Sequence, residues 1–243
     1  MNRKKLAPPS RGRDSIPIDI NRGVALADQN PTEVASDGSA LLRNEPVQAR
    51  STARLASLLD AAAAIIDEIG YERLTTAMVA ERAGASIGTV YRYFPDRIVV
   101  LQSLSARSLG GFVDGTRTTI LDPAHATWWD AISACINGMT GAFRSTPGFR
   151  SLRLGDVLDV RPALSAQSGS TVVAAEAAKA LSERFGLPIE ELAHRLEVVI
   201  VVADSLLSRA FTYDSKGDST LVDEATTISK AYLTGFYGDP DKA

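Results

Sequence analysis

The feature that most constrains this chain is the run Thr75 to Phe94, TTAMVAERAGASIGTVYRYF. It reads as two short helices joined by a tight turn. Thr75 is placed to N-cap the first, its hydroxyl accepting from a backbone N–H of the opening turn. Val79, Ala80 and Ala83 then share one helical face, with Glu81 and Arg82 turned away from it. Gly84 ends that helix as a C′ glycine, a position that favours left-handed backbone. Ser86 caps the next helix, which carries Ile87 to Tyr93 and turns Val90, with the following Phe94, inward. Thr89, Tyr91, Arg92 and Tyr93 leave hydroxyls, rings and a cation on its surface. Two short helices around a glycine turn make a helix-turn-helix, whose second helix enters the DNA major groove. Gly88 costs that helix about 1 kcal/mol relative to alanine. Close approach to a phosphate or a base edge is one reason to keep such a glycine. A plain helical hairpin with a glycine kink and surface tyrosines is the other reading.

A helix over 52–69 followed by GYERLTTAMVAERAGASIGTVYRYFPDR resembles the DNA-binding domain of the TetR family of bacterial one-component repressors. The resemblance covers about residues 50–105 without gaps. The residues that carry it are Thr75 and Thr76, the run Ala80–Gly84, and the run Gly88–Pro95. Ile87 departs from the pattern, standing where relatives often have Lys or Arg; an apolar contact with a thymine methyl is the alternative there. The resemblance implies a double-stranded DNA operator read by Ser86, Ile87, Gly88, Thr89, Tyr91, Arg92 and Tyr93. It also implies that Thr75, Thr76, Tyr91, Tyr93 and Arg97 mainly contact the backbone, Arg97 meeting a phosphate at a helix N-terminus, while Arg92 reaches a base or a phosphate.

Around this head the chain reads as all-α. Apolar Leu55, Leu59, Ala62, Ile66 and Ile69 recur at helical spacing, and Gly70 ends that first helix. Pro95 stops the second helix of the motif and Asp96 caps the next, about 97–121. Further helices are expected near 124–145, 148–158, 162–185, 188–211 and 219–237, punctuated by Pro147-Gly148, Gly186-Leu187-Pro188 and Ser215–Asp218. Residues 1–48, with Pro8, Pro9, Pro17, Pro31 and Pro46 and no apolar period, read as a disordered arm. Its Arg3, Lys4, Lys5, Arg11 and Arg13 suit either DNA contact or a passive solvated tail. The expected division is an arm over 1–48, a helix-turn-helix domain over 49–96 and a helical body over 97–243. By the resemblance, the helix over 97–121 is the lever between body and head.

Two parts of the body suggest binding. Phe112, Trp128, Trp129, Cys135, Met139, Phe143 and Phe149 concentrate aromatic rings and sulfur in a chain only 6% aromatic. Phe112, Trp128, Met139 and Phe149, anchored by Arg153 and Asp156, are the expected pocket for a small apolar or aromatic effector. An ordinary core with charges on one helix is the competing reading. Near 188–211 and 219–237, apolar residues outnumber what one intrachain neighbour would cover. Leu192, Leu196, Val199, Leu206 and Phe211 form a stripe that Val198, Ile200 and Val201 widen. This excess, and the resemblance, imply a homodimer through those two helices, which operator reading also needs.

Composition excludes other classes. At 243 residues, 45% hydrophobic and 23% charged, the chain can bury a substantial core. A net charge of −3 argues neither for nor against DNA, since a local basic patch suffices. The single Cys135 precludes an internal disulfide and reads as a buried small hydrophobe. No run reaches the ~18 apolar residues of a membrane span, no signal-peptide apolar region opens the chain, and a cytoplasmic protein is expected. His125 and His194 have no ligand at metal spacing, and no nucleophile elbow, P-loop or dinucleotide fingerprint occurs. Neither catalysis nor a cofactor is expected. A DNA-binding regulator with no small-molecule ligand, or an activator, is the alternative to an effector-released repressor.

Overall fold

The computed structural model describes residues 38–154 and 167–240, with residues 38–48 described by their backbone alone. Helices α1 (Gly38–Ile69), α2 (Thr76–Arg82) and α3 (Ile87–Tyr93) form the head, with a 3-10 turn at Tyr71–Arg73. The body contains α4 (Arg97–Leu121), α5 (Trp128–Ser145), α6 (Phe149–Leu152), α7 (Gly169–Phe185), α8 (Leu192–Ala210) and α9 (Ser219–Tyr237). No strand occurs among the described residues.

Local chemistry sets the boundaries of the motif. Thr75 accepts from the Met78 N–H at 3.2 Å, Ser86 from the Thr89 N–H at 3.1 Å, and Asp96 from the Val99 N–H at 3.0 Å. Each satisfies one donor that a helix start leaves orphaned. At the end of α2, the Gly84 N–H donates to the Glu81 carbonyl and the Ala85 N–H to the Ala80 carbonyl. This is a Schellman motif, and Gly84 holds the φ of +58° that it requires.

Several expected boundaries moved. Helix α6 ends at Leu152 rather than 158, α7 begins at Gly169 rather than 162 and α8 at Leu192 rather than 188. Two further helix starts have a clear cause. The first helix begins at Gly38, so residues 38–48 are helical where a disordered arm was expected. Ala40, Leu41, Leu42 and Arg43 are good helix formers, and a helix once nucleated extends cheaply. Residues 1–37, with the basic cluster of the arm, lie outside the described residues. The fifth helix begins at Trp128 rather than 124, because Thr127 and Asp130 form a reciprocal capping box.

Leu58, Leu59, Ile66, Leu74, Val79, Val90 and Phe94 make the head's core. Val100, Leu101 and Leu104 of α4 and Leu152 of α6 bury in the same cluster. The head is therefore welded to the body rather than hung from it, each large apolar side chain contributing about 1.5–3 kcal/mol. Arg107, 7% exposed, adds a tie from α4 to α1 by donating to Asp60 at 2.7 Å. Gly148, at the start of α6, lies against α1. Its N–H donates to Asp67 at 3.3 Å, and a Cβ there would stand 3.2 Å from the Ala63 carbonyl oxygen. With φ at +74° as well, only glycine suits the position.

Candidate nucleic-acid interface and enclosed cavity

Helix α3 presents one face inward and the rest to solvent. Val90 is buried, while Ser86, Ile87, Gly88, Tyr91 and Arg92 are exposed and Thr89 and Tyr93 half-buried. Ile87 and Tyr91 are among the exposed large hydrophobic residues. A Cβ added to Gly88 would meet nothing nearer than Ser86 Oγ at 4.0 Å. Nothing within the chain demands glycine there, so the demand comes from outside it or not at all. Thr75 and Thr76 open α2, Thr75 exposed and Thr76 half-buried.

Arg97 is exposed, but it is not a dangling cation. One of its N–H groups donates to the Glu72 carbonyl at 2.6 Å, tying α4 to the 3-10 turn. Arg82 is spent on a two-pronged pair with Glu68, at 2.8 and 2.6 Å, which joins α2 to α1. Those hydrogen bonds hold the Glu68 carboxyl below its ordinary range.

Sequence reasoning missed the other half of this surface. Arg50, Ser51, Arg54 and Ser57 on α1 line a groove with Arg92 and Tyr93 of α3. The Tyr93 hydroxyl meets Ser51 Oγ at 3.1 Å, fixing the middle of α1 beside the second helix of the motif. Arg92 lies over the Tyr93 ring, 5.2 Å from its centroid. The signal was present in sequence: Arg50 and Arg54 stand at i, i+4 and so share a helix face. Three guanidiniums converge on one groove, an arrangement suited to phosphate oxygens.

In the body, α4, α5, α7 and α8 line an apolar cavity of about 50 Å³, room for a few waters. Of the residues expected at a pocket, Phe112 and Met139 line it. Trp128 and Phe149 do not. Trp128 sits at the first turn of α5, edge-on to Trp129 and Tyr237. Phe149 is held between Phe112 and Phe143, with centroids at 6.0 and 5.2 Å. These rings are structural because their helix positions face neighbouring helices, not the void. Arg153 caps α6 and pairs with Asp204 at 2.8 Å, so it supplies no anchor in the cavity. Asp156 lies outside the described residues. The residue missed is Thr116, which lines the cavity between Phe112 and Ile120 on the same face of α4.

Cys135 also lines the cavity, where burial pushes its thiol up to about 12. The neutral form is favoured, so this group's contribution to stability is intact below the unfolded value and fades as pH rises toward 12. The thiolate is the reactive form. At pH 8 a thiol reagent is therefore expected to label the half-buried native thiol markedly more slowly than the urea-unfolded chain. Similar rates would show that the cavity is open. Among the described residues no group of three or more His, Cys, Asp or Glu could hold a metal ion. None of the described helices is long and apolar enough to cross a membrane.

Two family models match the chain. One, bacterial regulatory proteins of the tetR family, matches residues 58–102. The other, the tetracyclin repressor-like C-terminal domain, matches residues 126–237. The HTH-type transcriptional repressor KstR of Rhodococcus jostii (strain RHA1) is 46% identical over 50 residues, 21% of this chain and 24% of that protein. That match therefore spans about a quarter of the curated relative's length. A TetR-family transcriptional regulator from Streptomyces coelicolor superposes with a TM-score of 0.63 and 28% identity, covering 75% of this chain and 98% of that one. The fatty acid degradation regulator FadR from Bacillus halodurans shares the fold, with a TM-score of 0.60, 20% identity, and coverage of 75% and 96%.

Proposed function

Because the chain belongs to the TetR family of bacterial regulators, we propose that it is a homodimeric, sequence-specific DNA-binding repressor that leaves its operator when a small apolar or aromatic effector enters the body. The observation that carries this reading is the single surface on which α3 and the Arg50–Arg54–Arg92 groove lie together. Base edges in the major groove would face Ser86, Ile87, Gly88, Thr89 and Arg92, and phosphates the flanking arginines. Thr75, Thr76, Tyr91 and Tyr93 position the backbone. Arg97 reaches a phosphate only with the part of its fork that Glu72 leaves unused.

Dimerisation is supported by Val201, Ile228 and Phe236, which stand 49%, 43% and 51% exposed on α8 and α9. Apolar side chains so exposed are a surface in want of a partner. A two-fold axis there would set two heads about one helical turn apart, ~34–36 Å, to meet two half-sites of a pseudo-palindrome.

The apolar cavity favours effector control over a ligand-free regulator. It holds so little free space that any molecule larger than a few waters must swell it. Phe112, on its wall, stacks on Phe149 of α6. Leu152 of that helix sits in the head's core, and Gly148 lies against Ala63 of α1. Swelling would thus reach the head through α4 and α6 together. DNA and effector then oppose one another by the same coupling free energy in both directions.

Nuclease footprinting tests the reading. Two protected half-sites centred about one helical turn apart are expected, with protection lost on addition of an effector. A single protected half-site would refute the dimer, and uniform weak protection the sequence specificity.

A further inference from the structure

The cavity holds one polar side chain whose bonding capacity goes unused. Thr116 is 3% exposed, lines the cavity, and its Oγ1 has no hydrogen-bond partner. Three other threonines inside helices of this chain bond back to the preceding turn. Thr118 donates to the Asp114 carbonyl at 2.8 Å, Thr140 to Ile136 at 2.9 Å and Thr227 to Asp223 at 2.9 Å. That bond back to the preceding turn is the usual resort of a helical hydroxyl. A buried polar group left unpaired is destabilising, so Thr116 is an exception in need of a partner.

A water is a poor candidate, because a buried water takes two to four polar partners. The other lining side chain able to donate is the Cys135 thiol, which points at the Thr116 backbone carbonyl at 4.0 Å. Among the described residues no charged side chain lines the cavity. Arg117, next along α4, is committed to Glu176 and Glu183 at 3.0 and 3.1 Å. A carboxylate or phosphate brought into the cavity would lose its hydration with no cation to offset the loss.

We propose that the cavity takes a compact, uncharged, largely hydrocarbon molecule bearing a single hydroxyl or carbonyl group, which pairs with Thr116 Oγ1. This rests on the effector reading above and narrows its chemistry. A hydroxyl both donates and accepts, so either group on the ligand satisfies it. The flexible Met139 yields space as the ligand enters.

The test uses the full chain and three probes of one carbon skeleton: toluene, benzyl alcohol and benzoate, compared by thermal shift and calorimetry. Toluene and benzyl alcohol are expected to bind, and benzoate at least about a hundredfold more weakly than benzyl alcohol. Thr116→Val keeps the shape and removes the hydroxyl. It is expected to weaken benzyl alcohol binding about three- to tenfold and leave toluene unchanged or tighter. The free variant should melt a few degrees higher, since an unpaired buried hydroxyl is gone; that rise also shows that it folds. Equal binding of benzoate and benzyl alcohol, or a valine variant that binds benzyl alcohol as well as the parent, would overturn the proposal. So would failure of all three probes to bind, whereas release of DNA by some other small molecule would leave the effector reading standing.

Discussion

Replacing Arg50, Arg54 and Arg92 together by alanine is expected to lower DNA affinity roughly a hundredfold at physiological salt. Each phosphate contact contributes about 0.9 to the slope of log affinity against log salt, so losing Arg50 and Arg54 flattens the slope by nearly two units, and by nearly three where Arg92 also meets a phosphate. All three side chains line one groove on the exposed side of the head, and none belongs to its buried core. The triple variant should therefore fold and melt like the parent. Salt titration of binding, by fluorescence anisotropy, reads the result directly. An unchanged slope would remove the groove from the interface. Arg92→Ala alone separates its two roles: a phosphate contact lowers the slope by about one unit with sequence preference intact. A base contact costs about 1–3 kcal/mol and relaxes preference at one position.

Placing charge on the exposed apolar face of α8 and α9 should have a comparable or larger effect. Val201→Glu with Ile228→Glu is expected to give a monomer by light scattering and to weaken operator binding about a hundredfold or more. The reason is geometric. Two linked heads engage the second half-site at a millimolar effective concentration, a gain of about 10²–10⁴ that separate heads lose. Each protomer's own helix pair should survive. Leu196, Leu207, Ala225 and Leu233 remain buried within the chain, and both substituted positions already meet solvent. A double variant that stays dimeric would place the interface elsewhere. One that becomes monomeric yet binds the full operator as tightly would show that the two heads act independently.

Local chemistry is what sequence exposed most reliably. Thr75, Ser86 and Asp96 cap helices because each is a short acceptor standing before a helical run, and Gly84 turns left-handed where the run ends. Such signals need no knowledge of the tertiary fold. The Thr127–Asp130 capping box is equally local, and it starts α5 at Trp128 rather than at the expected 124.

Pocket residues failed for a different reason. Aromatic enrichment over 112–149 marks where rings are, not which void they face. Trp128 and Phe149 turn to α9 and to neighbouring rings, and only Phe112 and Met139 of the expected set meet the cavity. The informative pattern was quieter. Phe112, Thr116 and Ile120 repeat at i, i+4, which puts a lone hydroxyl on an otherwise apolar face of α4. Arg50 and Arg54 are the same kind of signal on α1, legible once the helix is known to begin well before them. Arg97 shows the opposite limit: its place beside the interface follows from sequence, while its bond to the Glu72 carbonyl joins residues 25 positions apart and needs the fold.

The most direct measurement of the central claim is a gel shift of the purified full chain on the DNA flanking its own gene, against excess random-sequence competitor. Regulators of this kind often act on neighbouring or self-encoding genes, which makes that DNA the best probe. A discrete complex is expected that survives the competitor and disappears with the Arg50, Arg54 and Arg92 triple substitution. Only weak complexes, titrated away by random DNA and indifferent to those substitutions, on this and on every selected sequence at low salt, would contradict the claim.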